Sequence, residues 1–69
     1  MRTHYFTFGQ DHIHTFDGII FNKDCVVEIT DENPRAKMFE LFGTKWAFEY
    51  NSLDGVKLEY YSRGIIKID

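Results

Sequence analysis

The sequence predicts a small α+β domain, an antiparallel sheet of about four to five strands with one helix packed on one face. Three observations carry this: a run with complete helix punctuation at residues 34–42, several stretches of period-two hydrophobic alternation on either side of it, and two Asp-Gly dipeptides suited to tight turns.

The helix is punctuated at both ends. Asn33 is a good N-cap, Pro34 occupies the first helical position where no amide donor is needed, and Gly43 supplies a positive φ just past the end. Met38, Phe39, Leu41 and Phe42 fall on one arc at helical spacing, and Glu40 points the other way, so one face packs on a sheet. Asp31-Glu32, just upstream, suits the positive end of the helix dipole.

The strands follow from alternation. Residues 2–8 set His4, Phe6 and Phe8 against Thr3, Tyr5 and Thr7, and Gly9 ends the run. Residues 11–16 and 19–30 flank Asp17-Gly18, which favours a two-residue type I′ hairpin turn. After the helix, Trp46, Phe48 and Tyr50 alternate with Lys45, Ala47 and Glu49. Asp54-Gly55 then marks a turn before a strand at 56–61, and residues 65–68 form a short terminal strand. A sheet with one helix shelters one layer of large side chains, which leaves Tyr5, Phe16 or Tyr61 as candidates for the open face. Tyr60 and Tyr61 face opposite ways, so one of them is accessible.

Length and charge exclude function classes. With 69 residues the chain is a single domain, too short for a doubly wound nucleotide fold or an enzyme barrel, which favours binding over catalysis. Eleven acids against eight bases, net -3, weigh against nucleic-acid binding, which needs clustered Lys and Arg, and suit a basic protein surface instead. No phosphate-cradling glycine loop occurs, and Ser52 and Ser62 have no histidine near them in sequence. One cysteine, no leader and no long apolar run predict a cytoplasmic protein without a membrane span.

The residues with site chemistry are His12, His14 and Cys25. If the Asp17-Gly18 hairpin extends in register, His14 lies opposite Phe21, His12 opposite Lys23 and Gln10 opposite Cys25. His12, His14 and Cys25 then share one face, with Cβ separations of about 7 Å. Imidazole and thiolate are the donors zinc prefers, and a metal staple suits a core this small, so a structural Zn2+ at these three residues is expected. The fourth ligand stays open among His4, Asp11, Asp24 and a water. A three-ligand site with activated water would make a small zinc hydrolase, and surface histidines with an inert core thiol would make a metal-free protein that acts by self-association or through a partner.

The segments His4-Tyr5-Phe6-Thr7-Phe8-Gly9-Gln10, Met38-Phe39-Glu40-Leu41-Phe42-Gly43 and Trp46-Ala47-Phe48-Glu49-Tyr50 resemble a group of small phage and prophage proteins, over about two thirds of the chain. Size and the His/Cys set also resemble the zinc-binding type II-A anti-CRISPR proteins. That resemblance implies a non-enzymatic inhibitor, with His12, His14 and Cys25 as metal ligands, that binds a type II RNA-guided DNA nuclease in the host cytoplasm and blocks loading of target DNA.

Overall fold

The computed structural model describes residues 1–68. Its order is β1 (Arg2–Thr7), β2 (His14–Phe16), β3 (Ile19–Phe21), β4 (Cys25–Asp31), α1 (Pro34–Phe42), β5 (Glu49–Tyr50) and β6 (Gly64–Ile68), with two short 3-10 turns, Leu53–Gly55 and Leu58–Tyr60, between β5 and β6. The α+β class holds. The main sheet has the order β5-β1-β4-β6, and β2-β3 form a separate two-stranded ribbon. No helix among the described residues is long and apolar enough to cross a membrane.

Three expectations about the sheet are corrected. The main sheet is mixed, not antiparallel, because β6 runs parallel to β4 after the long excursion through α1 and β5. The stretch 19–30 is two strands, because Asn22 folds into a turn, accepting from Asp24 N through Oδ1 at 3.0 Å and from Cys25 N through its carbonyl at 3.2 Å. Residues 56–61 form no strand: Val56 N bonds back to Leu53 O and Tyr61 N to Leu58 O, both at 3.0 Å, so the local polar groups are spent in 3-10 turns.

The helix begins and ends where its punctuation places it. Asn33 Oδ1 accepts from Ala36 N at 3.1 Å, and the Asp31 carboxylate accepts from Asn33 N at 3.0 Å, fixing the cap residue itself. Asn33→Ala is expected to cost about 1 kcal/mol by urea denaturation; no change would mean that tertiary packing alone holds the helix start. Gly43 has φ 65° and ψ -134°, the mirror image of polyproline backbone, which a Cβ disfavours more than the left-handed helical region. Its N–H still closes the helix on Phe39 O at 2.9 Å.

Side chains at alternate sheet positions build the core. Phe6 and Phe8 from β1 and its end, Cys25, Val27 and Ile29 from β4, and Ile68 from β6 meet Met38 and Phe42 of the helix. The hairpin turn has positive φ at both Asp17 and Gly18, as type I′ requires, and closes the ribbon in the expected register, with Phe16 opposite Ile19 and His14 opposite Phe21. Phe21 reaches from this ribbon into the core.

The second sheet face is also covered. Thr7 and Val26 are buried there, on the side that strand alternation sets opposite the core face. A Cβ on Gly55 would come within 3.1 Å of the Tyr50 ring, so glycine permits this approach. Tyr5, Phe16 and Tyr61 are half-buried, not open, Phe16 by packing on the core beside Phe21 and Phe42. Of the last tyrosine pair, Tyr60 is the accessible one, 69% exposed.

Candidate interaction surface

The three residues expected to hold zinc have separate engagements. His12 Nδ1 accepts from Gly9 N at 2.9 Å, locking a tight turn that His12 N closes on Gly9 O at 3.1 Å. His14 Nε2 lies 2.8 Å from Lys45 O, and because a carbonyl only accepts, that nitrogen carries the proton. The His14 ring also packs on Phe8 and Phe42, at centroid distances of 5.5 and 5.0 Å. Cys25 is fully buried, and its thiol donates to Asn22 O at 3.3 Å.

The turn at Asn22 explains this dispersal: it ends the ribbon at Phe21, so the register that would have set His12 and Cys25 side by side stops short. Among the described residues no three His, Cys, Asp or Glu side chains are grouped to hold an ion. Burial also pushes the Cys25 thiol above its ordinary pKa of 9.0, disfavouring the thiolate that zinc would need, against smaller pulls from the Asn22 hydrogen bond and Arg63. As arranged, the three residues are not brought to a common point. His4 is committed elsewhere too, to Glu49.

A different set of residues is assembled at the β5 edge. Thr7 N donates to Phe48 O at 3.0 Å, and Ala47 N donates to Thr7 O at 2.8 Å, so two residues oppose one: a β-bulge. The extra residue shifts the alternation. Trp46 faces the helix side, packing edge-on to Phe6 at 5.2 Å, and three residues later Glu49 faces the same side. Without the bulge Trp46, Phe48 and Tyr50 would have shared a face, as their spacing predicts. With it, Phe48 is turned outward and is 65% exposed.

The bulge therefore places a carboxylate beneath the helix. Glu49 Oε2 lies 2.6 Å from His4 Nδ1, and Glu49 Oε1 accepts from Arg35 Nη1 at 3.0 Å. Both carboxylate oxygens are spent. The Arg35 guanidinium lies over Phe39 at 5.5 Å and Trp46 at 5.6 Å, so two aromatic faces and one carboxylate fix its position. Trp46 is itself anchored, donating from Nε1 to Gly43 O at 3.0 Å and packing on Phe39 at 5.2 Å.

These side chains line a groove of about 380 Å³ between α1 and the chain entering β5. One wall is Arg35 and Phe39, the other Trp46, Phe48 and Glu49. Phe39 is 40% exposed although its helix position puts it on the apolar arc, because it lies at the margin of that arc nearest the sheet edge. Sequence reading finds the aromatic surplus but not this location: no local signal in Trp46-Ala47-Phe48 marks the bulge. Glu49 inside an alternating apolar stretch is the one hint that a charge has a partner there.

Compared with known proteins, the chain matches no family model, no curated protein and no solved structure.

Proposed function

We propose that the chain is a protein-binding module that presents the groove between α1 and the β5 edge to a partner, and that it is not an enzyme. The observation that carries this is Phe48, a large aromatic turned into solvent by a bulge, beside Phe39 and an Arg35 already held on aromatic faces. Aromatic and arginine side chains contribute most of the energy at protein interfaces, and a position fixed before binding lowers the ordering cost. Glu49 spends both oxygens on His4 and Arg35, which makes it a strut for the groove and not a general base.

The fold in this reading is metal-independent. Zinc at His12, His14 and Cys25 would have to displace the Gly9 and Asn22 hydrogen bonds and ionise a buried thiol.

The resemblance to anti-CRISPR proteins supplies the partner to test first, a type II RNA-guided DNA nuclease. Titrating the nuclease and its guide RNA with the chain is expected to give binding and slower loading of target DNA. Phe48→Ala should weaken both by about tenfold or more while leaving the thermal transition in place. Equal inhibition by wild type and Phe48→Ala would move the interface away from the groove. No binding by the wild type would remove this nuclease as the partner.

A further inference from the structure

We propose that the groove takes a short, extended segment of a partner protein carrying a carboxylate, and that Arg35 is the receptor for that carboxylate. This rests on the groove being the binding surface and adds the chemistry of what enters it.

The first support is Arg35. Its side chain is 60% exposed, and Nη1 is the nitrogen given to Glu49, so among the described residues the other donors of the guanidinium have no protein acceptor. Held on Phe39 and Trp46, the planar fork is oriented before any ligand arrives, the condition under which two-pronged recognition of a carboxylate gains most. Among the groove-lining residues it is the only cation.

The second support is main-chain. Thr7 directs its N–H and C=O toward the bulge, so in an antiparallel ladder Phe6 directs its own toward β4. Glu49, opposite Phe6, then points its N–H and C=O away from β1 to the open edge. An extended peptide lying along the groove meets this donor and acceptor pair as an added strand would.

The bulge also decides against other occupants. It interrupts the edge after two strand residues, Glu49 and Tyr50, which is too short and too twisted for continuous sheet pairing with a second copy. A single lining cation is too few for the repeated phosphates of a nucleic-acid strand. What remains is a short segment with apolar side chains against Phe39 and Phe48 and an acidic one at Arg35.

Trp46 is the only tryptophan of the chain, so its fluorescence reports directly on the groove. A displayed library of random peptides, selected on the full chain, is expected to yield sequences with Asp or Glu flanked by apolar residues that shift Trp46 emission. Arg35→Lys, which keeps the charge but loses the fork, should weaken them by about tenfold. Asp→Asn in the peptide should do the same, and this arm reads out even if the Arg35 variant folds poorly.

Peptides that need Phe48 but ignore both changes would overturn the carboxylate while leaving the groove as the binding surface. If no selected peptide shifts Trp46 and nuclease binding survives Phe48→Ala, inference and groove both fall. A wild-type dimer in sedimentation with Trp46 emission changed on association would overturn the peptide in favour of a second copy.

Discussion

Replacing Phe42 by alanine is expected to remove about 3 to 5 kcal/mol of stability. Phe42 closes the helix over the ribbon and the sheet together. Its ring meets Phe8 at 5.3 Å, Phe21 at 5.2 Å, Phe16 at 6.2 Å and the His14 imidazole at 5.0 Å, all edge-on. Four rings from three separate segments converge on it, so truncation leaves a cavity that no single segment can fill by shifting. A domain of this length has a total stability of about 3 to 10 kcal/mol, so the variant should lose about a third of it or more. The midpoint in urea and the Tm should both fall, the latter by more than about 12 °C. A loss below about 1 kcal/mol would mean that the ribbon does not pack on the helix as described.

The parts of this fold that were legible in the sequence are those fixed within a few residues. Asn33, Pro34 and Gly43 each satisfy a backbone requirement of a helix end, so the bounds of residues 34–42 are set locally. Asp17-Gly18 fixes both turn geometry and register of the ribbon for the same reason. What the sequence hid depends on pairing between distant segments. The bulge at Ala47-Phe48 exists only in relation to Thr7, and the parallel direction of β6 only in relation to β4.

The candidate zinc ligands His12, His14 and Cys25 are dispersed at one local point. Asn22-Lys23-Asp24 reads as polar strand residues beside Ile, Val and Phe, yet the Asn22 side chain bonds Asp24 N and stops the ribbon. Asn and Asp two residues apart were the available turn signal. The groove, by contrast, had no local signal beyond Glu49. Its position follows from one extra residue in a strand, which reverses the side of every side chain after it.

Cys25 converts these conclusions into a rate. Buried completely in β4, its thiol should react with a soluble thiol reagent only through molecules in which the core has opened. For an opening free energy of about 5 kcal/mol, labelling should be slower than in the denatured chain by on the order of 10³ to 10⁴. Phe42→Ala should accelerate it by about a hundredfold or more, since loss of 3 kcal/mol raises the open population by that factor.

The pH dependence has a definite sign. Burial raises the Cys25 pKa, so the folded state keeps this proton to higher pH than the unfolded state. Its contribution to stability is intact below the ordinary value of 9.0 and is lost as pH rises through the folded value. Tyr5 acts in the same direction from its ordinary value of 10.0, raised by desolvation and by the Glu28 carboxylate opposite it. Stability should therefore decline above about pH 9. A Cys25→Ala variant should lose only the thiol's share of that decline.

A chelator separates the metal-free reading from zinc. With the thiol protonated and bonded to Asn22 O, EDTA should leave both the labelling rate and the Tm unchanged. A zinc-bound thiolate behaves oppositely: removing the metal would expose Cys25, lower the Tm and speed labelling together, because ligand release and loss of the folding free energy of metal binding are one event. That response would return His12, His14 and Cys25 to a common site and require the Asn22 turn to be rebuilt around it. Fast labelling that EDTA does not alter would instead show that β4 opens locally, and the core would then be anchored by the helix and the ribbon.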